Sequence, residues 1–150
     1  MDERIKEHLK HLNKYYLLLL EAQKVPHDVF INDPICRGSS ERFLQLAIES
    51  CLNIGNRLIS LYQFQRSISA PETYADIFRE MQKLGVVDQE FESSLIKMAG
   101  FHNRLVHLYW EIDTEVIYGF IHENLEDFKK FEQLVVQFLN ENRMENNLSK

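Results

Sequence analysis

The sequence predicts an all-α protein: an antiparallel bundle of four to five helices, paired as a homodimer. Three observations carry this expectation. Apolar residues recur at spacings of three and four over long stretches. Only five Gly and three Pro punctuate 150 residues, so long helices are joined by short connectors. One helix in the C-terminal half is apolar around more of its circumference than a single core face needs, and a second copy of the chain is the simplest cover for it.

The first helix is expected from about Asp2 to Lys24, on the stripe Ile5, Leu9, Leu12, Tyr16 and Leu19, and Pro26 closes it. A connector, His27 to Gly38, follows. Ser39 or Ser40 can cap the second helix, which carries Phe43, Ala47, Cys51, Ile54, Leu58 and Tyr62 to about Gln65. A short third helix is read from Pro71 to Leu84, with Gly85 at its C-terminal end. The fourth starts with Asp88 as cap and runs to about Ile112. Its seam is Phe91, Leu95, Met98, His102, Leu105, Tyr109 and Ile112, and Ile96, Ala99, Asn103, Val106 and Trp110 form a second face. The fifth follows Asp113-Thr114 to about Asn142, on Ile117, Ile121, Leu125, Phe128, Phe131, Val135 and Phe138. One domain over 1–150 is expected, with 144–150 as a frayed polar tail.

Composition narrows the function. A formal net charge of −6 argues against loose, non-specific nucleic-acid binding, although a local basic cleft stays compatible with it. Two cysteines, Cys36 and Cys51, form no paired motif, which points to a reducing compartment and a cytoplasmic protein. The charged start MDERIKEHLK does not read as a signal peptide, and no apolar run is long enough to span a membrane. There is no Glu-x-x-His, His-Glu-x-x-His, Cys-x-x-Cys or Gly-rich phosphate loop, so neither a metal nor a cofactor is expected.

The residues that stand out are those of Gly100-Phe101-His102-Asn103-Arg104-Leu105-Val106-His107-Leu108-Tyr109-Trp110. Two imidazoles with a guanidinium between them suit phosphate handling and proton transfer. His102 falls on the core seam, where a satisfied core histidine explains it equally well. Asn103, Arg104 and His107 are neighbours on the helix surface, where a solvated polar cluster is the plain alternative. His8, His11, His27 and His122 read as solvated, and Arg37, Arg42, Arg57 and Arg66 as scattered, unpaired surface cations, with the lining of an RNA groove as the alternative for the arginines.

The stretch from Met98 to Asp113 resembles the signature of HepT-type HEPN proteins, the toxin halves of HepT/MntA toxin–antitoxin pairs. Ala47 to Arg57, and Glu123 to Phe128 with Phe131, are similar to that family as well, so the likeness covers most of the chain. The resemblance implies a HEPN bundle, a homodimer, and metal-independent RNA cleavage in a cleft between protomers. The family motif is Arg, four residues, His, any residue, Tyr. By position His107 is its histidine, Tyr109 its tyrosine and Asn103 the polar residue after the arginine. His102 occupies the arginine position, and Arg104 stands two residues later. The resemblance thus implies His107 as general acid or base, with Arg104, His102 and Asn103 lining the cleft. It also implies a partner, an MntA-type nucleotidyltransferase antitoxin that neutralises the toxin by transferring AMP to Tyr109, where added phosphate would repel RNA. Because His102 replaces the motif arginine, a second reading stands beside the first: a weakly active or non-catalytic helical partner of a nucleotidyltransferase.

Overall fold

The structure is a computed structural model and describes residues 1–66, 68–107 and 112–148, the last five of these by backbone alone. The described residues form seven α-helices and no strand: α1 (Glu3–Gln23), α2 (His27–Asn32), α3 (Pro34–Arg66), α4 (Tyr74–Leu84), α5 (Gln89–His107), α6 (Thr114–Glu123) and α7 (Glu126–Leu148). The all-α expectation holds.

Asp2 starts the bundle. Its carboxylate accepts the Arg4 and Ile5 amides at 3.0 and 3.1 Å, satisfying donors that the first turn leaves open. It also holds the Arg57 guanidinium at 2.8 Å, which fixes the start of α1 against the middle of α3. Further along, Tyr15 of α1 stacks near Phe43 of α3, so the two helices run antiparallel. Ile5, Leu12 and Leu19, seven residues apart, bury one stripe of α1.

The connector expected from His27 to Gly38 is mostly helical. Pro26 sits just before α2, and α3 begins at Pro34, five residues ahead of the serines read as caps. The cause is Asp33, whose carboxylate accepts the amides of Ile35 and Cys36 at 3.0 and 3.3 Å. Proline at the first helical position gives up an amide that has no intrahelical partner anyway. Ser40 lies inside the helix and turns its hydroxyl back to donate to the Cys36 carbonyl at 2.8 Å.

Three other boundaries move. α4 starts at Tyr74 rather than Pro71, because Thr73 and Asp76 form a capping box; Gly85 ends it at φ 88°, as expected. Asp88 caps α5 by accepting the Phe91 amide at 2.8 Å. The helix is described to His107, and Ile112, expected at its end, is not helical. The single fifth helix is two, α6 and α7, separated at Asn124-Leu125. Its stripe from Ile117 to Phe138 is nonetheless buried throughout, so the apolar period runs straight through the break. The tail expected to fray from Met144 keeps a helical backbone to Leu148.

α3 is the central helix, packed on α1, α4, α5 and α7, while α2 and α6 close one end. Phe30, Phe78, Phe91, Phe128 and Phe131 are fully buried between these layers, each contributing about 1.5–3 kcal/mol relative to exposure. Cys51 lies in the same core, and burial pushes its thiol pKa up. Among the described residues, no helix is long and apolar enough to cross a membrane.

Candidate active site

The C-terminal half of α5 divides its polar residues between two environments. His102 is inside, 2 % exposed. Its Nε2 lies 3.3 Å from Glu49 Oε1 on α3, and its ring meets that of Tyr74 of α4 at 79°, with centroids 5.3 Å apart. Its Nδ1 is buried with no hydrogen-bond partner among the described residues. Gln45 donates to the same Glu49 oxygen at 3.0 Å, so a polar chain runs from Gln45 through Glu49 to His102.

Asn103, Arg104 and His107 are outside. All three are exposed, on adjacent turns of one helix face, and make no side-chain hydrogen bond or ion pair among the described residues. The structure therefore brings Asn103, Arg104 and His107 together and sets His102 apart from them. Tyr109 lies outside the described residues.

Beside this face, a groove of about 300 Å³ separates α5 from the start of α3. Leu105 and Val106 form one wall, and Gly38, Glu41, Arg42 and Gln45 the other. Arg42 is exposed and has no partner among the described residues. Burial raises the Glu41 carboxyl pKa, and Arg37 pulls it partly back. The sequence singled out neither Glu41, Gln45 nor Glu49. Their signal is spacing: positions 38, 41, 42, 45 and 49 share one side of α3, a pattern that means something only once α3 is known to face α5.

The other three arginines of that set are not free, contrary to the sequence reading. Arg57 holds Asp2, Arg66 donates to the Asn142 side chain, and Arg37 donates to the Ile31 carbonyl at 3.5 Å. Two of the histidines expected to be solvated are exposed, as expected, and also hold partners. His27 Nε2 sits 2.7 and 2.8 Å from the two Glu115 oxygens. The ring nitrogens of His122 lie 2.9 and 3.0 Å from the Tyr118 and Gln23 carbonyl oxygens. Tyr118 packs between the two imidazoles, which fastens α2 and the end of α1 to α6. No group of three metal-ligating side chains occurs among the described residues.

This geometry has relatives. The family model described as "Ribonuclease HepT-like" matches residues 5–135. The mRNA nuclease HepT of Shewanella oneidensis is 28% identical over 88 residues, which is 59% of this chain and 63% of that protein. The chain thus spans under two thirds of that relative. The tRNA nuclease HepT of Aphanizomenon flos-aquae is 23% identical over 137 residues, 91% of this chain and 86% of that one. Among solved structures, the tri-AMPylated HEPN toxin of Shewanella oneidensis, in complex with its MNT antitoxin, superposes with a TM-score of 0.80 at 22% identity, covering 91% of this chain and 99% of that one. The cytosolic protein YutE of Bacillus subtilis, of unknown function, gives 0.78 at 21% identity, covering 93% and 91%. With residues 5–135 inside the family model, and a fold that matches the HEPN toxin over 91% of the chain, the protein belongs to the HepT-like ribonuclease family.

Proposed function

We propose that the protein is the toxin of a toxin–antitoxin pair, a cytoplasmic, homodimeric, metal-independent endoribonuclease built as one HEPN domain over residues 1–150. The observation that carries this reading is the open cluster of Asn103, Arg104 and His107, in which His107 and Asn103 fall at motif positions of a family named for RNA cleavage and Arg104 stands two residues past the arginine position. Such cleavage uses the RNA's own 2′-hydroxyl. A base takes its proton, the oxygen attacks phosphorus, and the 5′-oxygen leaves with a proton from an acid, giving a cyclic phosphate and a free 5′-hydroxyl. His107 is accessible for one of these transfers. Arg104 supplies a permanent, planar cation for the charge that gathers on phosphorus, and Asn103 a neutral donor beside it.

His102 plays a different part here from the one the motif arginine would play. Buried against Glu49 and Tyr74, it is a positioning residue that fixes α5 against α3 and α4. Its burial is also what favours the second reading, a weakly active partner of a nucleotidyltransferase. Regulation by an MntA-type antitoxin fits either case. AMP added to Tyr109, two residues beyond His107, would place an anion where RNA phosphate must come.

The test is RNA cleavage in EDTA by the wild-type chain, His107→Ala and His102→Arg. Cleavage by wild type that drops at least about 100-fold in His107→Ala supports the nuclease. No cleavage by any of the three sinks it and leaves the binding partner.

A further inference from the structure

One face of α3 is open along most of the helix. Arg42, Glu49, Asn53, Asn56 and Ser60 fall on a single stripe of it, and all but the half-buried Glu49 are exposed. Three grooves follow one another along this stripe. The first, at Arg42, is the one beside α5. The second, about 180 Å³, holds Glu49, Asn53 and Asn56 under Tyr74 of α4. The third, about 230 Å³, sets Asn53, Asn56 and Ser60 against Arg4 and His8 of α1. The second and third share both asparagines, and the Gln45–Glu49 hydrogen bond bridges the first to the second. They form one track of ~27 Å from Arg42 to Ser60, at the 1.5 Å rise of a helix.

The chemistry of the track is distinctive in a chain of net charge −6. Two of the carboxylates beside it are engaged, Asp2 by Arg57 and Glu49 by Gln45 and His102, while Glu41, in the wall of the first groove, is half-buried with Arg37 nearby. Arg4 and Arg42 have no side-chain partner among the described residues and are left to meet an anion. Between them stand amides and a hydroxyl, which both donate and accept. Two aromatic rings flank the polar groups. Tyr74 is 44 % exposed, and Phe64, one turn past Ser60 on the same stripe, is 91 % exposed with no core role.

We infer that this face of α3 is a track for single-stranded RNA, leading away from the cleavage cluster. Arg42 and Arg4 grip phosphates at its two ends, the asparagines meet base edges, and Tyr74 and Phe64 stack bases. The inference rests on the ribonuclease reading and extends it, since the first groove is walled by Val106, the residue before His107. A protein partner fits less well: protein interfaces center on apolar side chains, and the middle of this stripe is Glu49, Asn53, Asn56 and Ser60.

The test is anisotropy of fluorescein-labelled oligouridylates of about 4 and about 16 nucleotides, lengths that bracket grooves of this kind. Binding is measured in a His107→Ala background, so that the probe survives. The longer probe is expected to bind at least about tenfold tighter than the shorter. Phe64→Ala weakens the longer probe by about tenfold. Arg4→Ala weakens it as well and lowers the salt slope by about 0.7, one phosphate contact on a single strand. Lys10→Ala, on a different face of α1, leaves it unchanged. If Phe64→Ala and Arg4→Ala bind the longer probe as tightly as the parent, the track is overturned. If those variants instead halve the mass in solution, the face is a contact between copies, which also overturns it. Absence of wild-type cleavage in EDTA, together with length-dependent and Phe64-sensitive binding, supports the track while removing the nuclease reading.

Discussion

Asp2 does two jobs at once, capping α1 and holding Arg57. The guanidinium beside it is the main reason its carboxyl pKa falls to about 2, and the amides it caps add to the effect. A carboxyl whose folded pKa lies below its unfolded value binds protons more readily in the unfolded chain. Its contribution is therefore complete above about pH 4 and is lost as pH falls through 2. Asp2→Asn keeps part of the cap and loses the ion pair, so a loss of about 1 kcal/mol is expected at pH 7, much reduced by pH 2 and vanishing below it. Urea unfolding across that range measures it, and an undiminished difference at pH 2 would show that charge is not the source. At this scale the sequence was informative about α5 and silent about its surroundings. Helical spacing alone put His102 on the core seam and Asn103, Arg104 and His107 to one side, and the side chains lie so. Glu49 and Arg57 find their partners 53 and 55 residues away, and no local pattern encodes such pairings.

The contact between α3 and α4 depends on an absent side chain. A Cβ at Gly55 would run into Ile77 Cγ2 and come within 2.9 Å of Met81 Sδ. Alanine ordinarily stabilises a helix interior by about 1 kcal/mol over glycine. Here that gain is outweighed, because the methionine can swing aside but the β-branched isoleucine is stiff. Gly55→Ala is expected to cost about 1–2 kcal/mol, whereas Gly100→Ala, with open space around it in α5, gains about 0.5–1 kcal/mol. Paired thermal melts check both signs, and a stabilised Gly55→Ala would mean that α4 moves aside freely. The element boundaries show where sequence pattern stops. α1 and the start of α5 were legible because a cap residue and an apolar stripe coincide there. Asp33-Pro34 looked like a loop although it is a helix start, since the same residues serve both uses. The α6–α7 break was hidden because Ile117, Ile121, Leu125 and Phe128 keep helical spacing across it, and the core selects that spacing whether or not the backbone pauses.

At the scale of the molecule, the second face of α5 is covered at one end and open at the other. Ala99 is buried by the chain's own helices, whereas Asn103 and Val106 are exposed. Across the groove, Ile35 stands 81 % exposed one turn before Gly38. One protomer offers only a small apolar patch here, and a stable interface needs roughly 1,200–2,000 Å² in total. A two-fold axis through the patch meets that need economically, because each side chain is then used twice. It would also bring the two clusters of Asn103, Arg104 and His107 toward a common cleft. Sedimentation equilibrium should accordingly give twice the chain mass of 17.9 kDa. Val106→Glu places a charge in the contact and is expected to weaken the dimer by at least about 10-fold, with little cost to the fold of a residue already partly in water. If the cleft is shared, RNA cleavage should fall on dilution in step with the dimer, and the Val106→Glu curve should shift to higher protein concentration by the same factor as its mass curve. A wild-type chain that sediments as a monomer while cleaving at full rate would place the whole site within one protomer, leaving the open end of α5 to contact RNA alone.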